Sequence, residues 1–414
     1  MTPALEYPSA ADHAGDLPPA LAGPHSGPLP RVRLPDGRTA WLVTRYADVR
    51  TVLDGEGFTR DLPRPDGPAQ PQAPDSPQAS QTPQTPQTAP PPQAPVRTVN
   101  SDGPAHLELR AVVSKPFTVR RIKALAPRVQ EVTDRLLDAM VAAGQPADLA
   151  AAVAGPLPAI LICDLLGLPD SDHAKLTAWC DRITVTAPGG PDPAAWSELG
   201  GFLAAAALAK RAEPAAGRAP DADILSSLIH AHDAGTLSMP ELVGLAVVVL
   251  AGGLETTRTA IGAGLLRLFR EPGQWEKLRA DPDLVDGAVE EILRYQPVID
   301  INRVQSATRD VRLGGRDIKA GDLVQICVNA ANRDESVFPG GSAFDLTRAP
   351  GPHLAFGHGA HHCLGAALAR LELRTVFSTL LRRLPGLAPA AAPEDLRWRG
   401  GHVTVGLPEL PVTW

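Results

Sequence analysis

From Ile122 onward apolar residues recur at helical spacing. Ile122, Leu125, Val129, Val132, Leu136 and Met140 follow one another at three- and four-residue steps, and Gly144 ends the run. That spacing predicts one amphipathic helix with a single apolar stripe. A second helix is predicted over about 240–270. Its first half is apolar nearly all round, the pattern of a helix buried at the centre of a large protein. Gly252 and Gly253 are expected to interrupt it. Strand-like segments are short and few, at 311–313 and 323–328, set off by Gly314-Gly315 and Ala320-Gly321. The predicted class is mainly α with small β-sheets.

Residues 63–96 break this regime. They run through Pro, Gln, Ala and Thr, with repeats such as Gln81-Thr82-Pro83-Gln84-Thr85-Pro86. Proline removes backbone donors and the run lacks large apolar groups, so it cannot pack a core and is expected to be extended or disordered. It reads as a surface-loop insertion, with a polyproline partner-binding segment as the alternative. No second shift of composition follows residue 100. A chain of 414 residues, 44% hydrophobic, has enough apolar surface to bury a large core, either in one domain or in two or three.

The formal net charge of −7 points to neither nucleic acid nor a membrane surface. Cys163, Cys180, Cys327 and Cys363 lie far apart without a CxxC pair, and nothing N-terminal resembles a signal peptide, so a reducing cytoplasm is expected. The longest uncharged apolar stretch, 242–254, is bracketed by Glu241 and Glu255 and falls short of the roughly 20 residues a membrane span needs. No membrane anchor is expected.

The chemistry concentrates in Phe356-Gly357-His358-Gly359-Ala360-His361-His362-Cys363-Leu364-Gly365, ahead of a helix-forming run over 366–373. Glycines at 357, 359 and 365 permit backbone conformations and close approaches that side chains would forbid, as a flat cofactor face requires. Cys363 falls at a helix N-terminus, where backbone N–H groups and the positive helix end favour thiolate over thiol. Three readings compete: a buried structural cysteine, a zinc site and a haem site. His358, His361, His362 and Cys363 are all competent zinc ligands. Adjacent His362 and Cys363 nevertheless depart from the usual ligand separations, and no second cysteine pair is near.

Phe-Gly-x-Gly-x-His-x-Cys-x-Gly resembles the haem-binding loop of the cytochromes P450, and this sequence fills every position of it. The chain is thereby identified as a member of that family, in its soluble bacterial class. The resemblance implies that Cys363 is the proximal iron ligand, whose electron donation favours O–O cleavage. It implies that His361 binds a haem propionate, that Phe356 and Gly365 belong to the cofactor loop, and that His358 and His362 are bystanders. Glu291-Ile292-Leu293-Arg294 resembles the family's ExxR, its three-residue spacing setting carboxylate and guanidinium on one helix face. With Phe338-Pro339 and Phe344-Asp345 following, it implies a buried structural ion pair supporting the haem side.

Gly252-Gly253-Leu254-Glu255-Thr256-Thr257 is similar to the family's [Ala/Gly]-Gly-x-[Asp/Glu]-Thr. Two helix glycines cost about 1 kcal/mol each relative to alanine. The family offsets that cost with a widened groove over the iron. There Thr256 is implied to hold the oxygen ligand and ordered water, and Glu255 to help relay protons. His106 and Arg110, four apart after Asp102-Gly103-Pro104-Ala105, are similar to Asp-Pro-Pro-x-His-x-x-x-Arg and are implied to hold a propionate. Taken alone, either pair reads as an ordinary helix face. Where the family often has a propionate-binding arginine stands Gln305, and Arg303 could point the same way if the segment is a strand. The 63–96 insertion falls where the family places part of its substrate lid.

The resemblance runs from Trp41-Leu42-Val43-Thr44-Arg45-Tyr46 to Leu410-Pro411-Val412-Thr413-Trp414. It implies one cytochrome P450 domain over 1–414, monomeric, with haem b (iron protoporphyrin IX) between the central helix and the cysteine loop. No flavin or nicotinamide fingerprint is evident, so ferredoxin and its reductase are the implied electron donors. Arg120, Arg121 and Lys123 form either a docking face for them or a solvated basic turn. Val248, Ala251, Gly252 and Ile301 are implied to line the pocket for an apolar organic molecule of secondary metabolism. Dioxygen would be activated for hydroxylation, epoxidation or coupling. Two rival classes are a haem protein that only binds or senses a ligand and a zinc-dependent enzyme. Glu255-Thr256 favours turnover, since a passive binder needs no proton relay.

Overall fold

The computed structural model describes residues 5–7, 13, 15–22, 27–34, 36–62, 102–187, 190–212, 222–271, 273–296, 298–299 and 304–414. The insertion expected at 63–96, and the candidate residues Ile301 and Arg303, lie outside the described residues.

Tyr46–Asp54 (α1) ends at Gly55, which takes the left-handed conformation that closes a helix. Gly103–Ser114 (α2) buries His106, Leu109 and Val113 on one face. The single helix expected over Ile122 to Met140 is two helices, Val119–Ala124 (α3) and Ala126–Ala143 (α4). Pro127 is the cause: inside one continuous helix its ring would clash with the preceding turn, whereas in the first turn of α4 its missing N–H is harmless. After that restart Leu137 is fully buried and Leu136 only half-buried against the same core.

Pro156–Leu166 (α5), His173–Ile183 (α6), Pro193–Ala212 (α7) and Ile224–Asp233 (α8) lead to the central helix, Met239–Arg270 (α9). A capping box fixes its start: Ser238 accepts from the Glu241 N–H while the Glu241 carboxylate accepts from the Ser238 N–H. The helix runs unbroken through Gly252 and Gly253, contrary to the expected interruption. Gly253 serves close packing, since a Cβ there would lie 2.9 Å from Ile162 Cδ1 of α5. The first part of α9 belongs to a core cluster shared with α2 and α5–α8, while residues 260–268 belong to another shared with α4, α5 and the helices Val285–Tyr295 (α10) and Ala366–Arg383 (α11). Among the described residues α9 is the one helix long and apolar enough to cross a membrane, and both its halves serve these cores.

Six short strands form one sheet in the order Leu5–Glu6, Arg31–Arg33, Thr39–Val43, Leu323–Ile326, Val304–Ala307, Phe58–Thr59. Trp41 pairs in parallel with Val324, and Gln305 opposes Val324 from the antiparallel side. The strand expected over 323–328 stops at Ile326. The Cys327 N–H bonds to Val43 O at the end of the neighbouring strand, no ladder remains beyond it, and Val328–Ala331 turns helical. Val311–Leu313 forms the expected strand, in a hairpin with Arg316–Ile318. The class is mainly α with small sheets.

Candidate active site

The loop from Phe356 to Gly365 is folded back on itself, with the Cys363 N–H donating to Phe356 O at 2.8 Å. Gly359, at φ +69°, presses the loop onto the end of α1, where a Cβ would meet Leu53 O at 2.9 Å. Cys363 is exposed and stands two residues before Gly365, the residue that caps the N-terminus of α11. A Cβ at Gly365 would lie 3.9 Å from the Cys363 sulfur, so the glycine leaves room beside it. Arg110 of α2 hydrogen-bonds to His362 O. Burial lowers the Arg110 pKa, and the negative charge of Cys363 opposes that shift. The sulfur therefore has a helix N-terminus and a guanidinium on its side of the loop, both of which favour thiolate.

Two histidines of the loop are engaged by carboxylates, while His362 bonds with the backbone of Cys363. His358 Nε2 lies 3.0 Å from Asp54 Oδ1, and His361 Nε2 lies 2.7 Å from Asp102 Oδ1. Among the described residues no three metal-ligating His, Cys, Asp or Glu side chains gather at one point. Asp102 also accepts from Thr59 Oγ1 at 2.7 Å and from the Arg60 N–H at 2.9 Å. Burial and the Arg60 charge bring the His361 pKa down to about 4 against the pull of Asp102. The His361 ring lies against that of His106, centroids 4.0 Å apart, and Nδ1 of His106 is buried without a hydrogen-bond partner.

Across from the loop, α9 carries an open stripe. Gly252 is exposed in the middle of a largely buried helix, flanked by half-buried Val248, Ala251 and Thr256. A Cβ at Gly252 would meet nothing within 4 Å. Leu364, next to Cys363, and Ala251 both pack on the core cluster that contains Leu250. Thr256 Oγ1 donates back to Gly252 O at 2.6 Å.

Glu255 is not a solvated carboxylate: it is 2% exposed and tied into a four-charge network. Arg399 Nη2 donates to Glu255 Oε2 at 2.6 Å, and Thr404 Oγ1 to the same oxygen at 3.3 Å. Arg258 Nη2 lies 2.6 Å from Glu255 Oε1, an ion contact without hydrogen-bond alignment. Asp181 of α6 accepts from Arg258 at 2.7 Å and from Arg399 at 3.0 Å. Burial pushes the Glu255 pKa up against the pull of Arg258 and Arg399. For Asp181 the same two guanidinium groups outweigh burial and bring it down. Sequence reasoning missed these partners. Arg258, one turn along α9, was findable by its spacing, whereas Asp181 and Arg399 are distant in sequence and carry no motif.

Glu291 and Arg294 form a fully buried pair on α10, with Arg294 Nε to Glu291 Oε2 at 2.7 Å and Nη2 to Oε1 at 2.8 Å. The guanidinium also donates to Asn332 O, Gly341 O and Ala343 O at 2.7, 2.8 and 3.0 Å. Glu291 further accepts from the Asp345 N–H at 2.8 Å and from Arg348 at 3.3 Å. The pair thus fastens the chain between Asn332 and Arg348 to α10.

A family model described as Cytochrome P450 matches residues 193–394. Nocardicin C N-oxygenase of Nocardia uniformis subsp. tsuyamanensis is 37% identical over all of this chain and 99% of its own length. Mycinamicin IV hydroxylase/epoxidase of Micromonospora griseorubida is 39% identical over 94% of this chain and 92% of its own. The chain belongs to the cytochrome P450 family. Its fold agrees: the crystal structure of the cytochrome P450 hydroxylase from the leinamycin pathway of Streptomyces atroolivaceus superposes with a TM-score of 0.83 at 34% identity, covering 97% of both chains.

As a P450 the protein is a monooxygenase with a haem-iron cofactor, served by a redox partner and acting on an organic substrate. The residues present fit that cofactor. Cys363 is exposed at a helix N-terminus, Gly252 opens a face of α9, and the buried, unpartnered Nδ1 of His106 stands with Arg110 on α2. Gln305 is buried in the sheet.

Proposed function

We propose that this P450 is a cytoplasmic, monomeric, single-domain enzyme that holds haem b and oxidises an apolar small molecule of secondary metabolism, with two electrons from a ferredoxin and its reductase. The observation that carries the reading is the exposed Gly252, with nothing within 4 Å of a Cβ there, on the core-forming helix α9 of a chain whose exposed Cys363 stands at the N-terminus of α11. Bound haem supplies the reductive activation of dioxygen. Cys363 would supply its thiolate ligand. His106, Arg110 and His361 would hold the propionates, with Arg303 as a further candidate, while Phe356 and Gly365 shape the loop. The relatives' printed activities, N-oxygenation and hydroxylation/epoxidation of antibiotic molecules, support secondary metabolism as the setting.

The chain's own groups then divide the work. Val248, Ala251 and Gly252 present half-buried or exposed apolar surface suited to an apolar substrate, with Ile301 assigned to the same wall. The Thr256 hydroxyl, now bonded to Gly252 O, sits on that stripe and holds water there. Glu255 Oε1 is the buried proton site one residue away, and Arg258 and Arg399 tie its carboxylate to Asp181, which is partly exposed. Donor docking is assigned to the face around α3, where Lys115, Arg120 and Lys123 are exposed along with Val119 (63% exposed). Basic charge around an apolar centre suits an acidic electron carrier.

The test is the absorption spectrum of the reduced, CO-treated protein, with Cys363→Ala alongside, followed by turnover with a surrogate ferredoxin and reductase. A red-shifted Soret band lost in the variant, and product formed with the donors, is the expected result. Bound haem without that band would overturn the thiolate assignment. Haem without donor-dependent turnover would leave a ligand-binding protein.

A further inference from the structure

Immediately before Glu291, α10 carries a second carboxylate that the ExxR pair does not use. Glu290 receives Arg370 of α11 side-on, Nε to Oε1 at 2.7 Å and Nη2 to Oε2 at 2.9 Å. Such a two-bond fork fixes the plane of a guanidinium as well as its position. A third residue completes the anchor. The Ala355 N–H donates to His353 Nδ1 at 3.3 Å, which leaves the other ring nitrogen, Nε2, to donate to Glu290 Oε2 at 3.1 Å. Glu290 is held well below its ordinary carboxylate range, at about 2: His353 and Arg370 outweigh the burial that would raise it.

The guanidinium so fixed lies over the ring of Phe356, its carbon 4.5 Å from the ring centroid. Phe356 is the residue whose carbonyl accepts the Cys363 N–H at 2.8 Å. One chain of contacts therefore runs from α10 through Glu290 and Arg370 to Phe356 and the backbone of the cysteine. Each link is short, and each joins a different element: α10, α11 and the cysteine loop.

We propose that Arg370 is a positioning residue for the thiolate ligand: pinned by Glu290, its guanidinium braces Phe356 and so holds the loop that presents Cys363. Arg370 bonds to Glu290 and to Ala366 O and lies over the Phe356 ring. It acts through Phe356 by stacking and by charge, and the two contributions separate experimentally. Arg370→Met removes the brace and the closest cation from Glu290, which keeps His353 at 3.1 Å and Arg374 Nη2 at 3.7 Å. Glu290→Gln leaves the guanidinium in place but without its anchor and without its counter-charge. The double variant removes both charges together with the brace.

The inference rests on the haem-thiolate reading of Cys363, and the wild-type spectrum tests that reading separately. If the wild-type protein binds haem without a red-shifted CO Soret band, the reading itself fails. Given the band, Arg370→Met is expected to raise the fraction of unshifted Soret absorption several-fold and to lower the haem reduction potential, because a less compensated negative charge disfavours the added electron. Glu290→Gln is expected to raise the potential, the opposite sign. The double variant should restore the potential towards wild type while keeping the raised unshifted fraction, and Arg370→Lys, cationic but unable to fork, should fall between. Equal shifts of potential in both single variants, or an unchanged Soret fraction in Arg370→Met, would overturn the proposal while leaving the thiolate assignment intact. Should Arg370→Met fail to fold, Arg370→Lys and Glu290→Gln carry the same two readouts.

Discussion

Replacing Arg294 with alanine tests how much of this fold hangs on one buried guanidinium. Its five N–H directions are all used, two on Glu291 and three on the carbonyls of Asn332, Gly341 and Ala343. Removing one partner of a buried ion pair costs about 3–5 kcal/mol. Each buried carbonyl that loses its donor adds about 1–3 kcal/mol before relaxation. Glu291 keeps the Asp345 N–H and Arg348, which softens the first figure. A total of about 5 kcal/mol is expected for Arg294→Ala, against a whole stability on the order of 5–15 kcal/mol. Glu291→Gln leaves the three carbonyl bonds in place and is expected to cost about 3 kcal/mol. Arg294→Lys keeps the charge but has three donors for five sites, and should fall between them. Urea titration followed by far-ultraviolet circular dichroism, with haem content measured in parallel, gives the ordering. The expected rank is Ala worst, Lys next, Gln mildest. A Glu291→Gln variant as unstable as Arg294→Ala would show that the carbonyl bonds contribute nothing, and would refute the reasoning.

Four further outcomes follow from named contacts. Thr256→Ala loses a hydroxyl that is bonded only back into its own helix, so stability should hold while electron consumption separates from product formation; unchanged coupling would remove Thr256 from the relay. Arg399→Ala takes one cation from Glu255, whose pKa burial already raises, so the pH at which coupled turnover sets in should move upward, and a downward move would contradict the network. Gly252→Ala meets no atom within 4 Å and should make the haem-free helix more stable by about 1 kcal/mol, while haem titration shows weaker binding. The depressed Glu290 contributes stability that is fully present above its unfolded value near 4.5 and lost as pH falls towards about 2. Glu290→Gln should therefore flatten the acid limb of a stability–pH curve within that window, and an unchanged limb would count against the pairing.

What the sequence made legible was whatever lies close together along the chain. The cysteine loop, the Glu291–Arg294 spacing and the long apolar run of α9 each depend on neighbours within a turn or two, and the structure sets them where that spacing requires. The misreadings had local causes of another kind. The stripe through Leu125 was periodic enough to hide the break that Pro127 imposes, and the strand after Leu323 was cut where its neighbour ended, a fact held by Val43 far upstream. Asp181 and Arg399 reach Glu255 only because α6 and the C-terminal segment converge on α9, which no spacing rule anticipates.

Glu290 illustrates a subtler loss. Reading Glu291 as the partner of Arg294 accounted for the motif and gave the adjacent carboxylate no role. Successive residues on a helix point roughly 100° apart, so two neighbouring carboxylates cannot serve the same partner. On α10 they face different neighbours: Glu291 the chain from Asn332 to Arg348, Glu290 the flank of α11. One helix thereby braces the haem side twice, once through the chain that leads into the cysteine loop and once through the ring of Phe356, whose backbone carbonyl accepts the cysteine's N–H. The two braces share a helix but no side chain. Damage to the first should therefore appear as lost folding and damage to the second as altered ligation in a protein that still folds.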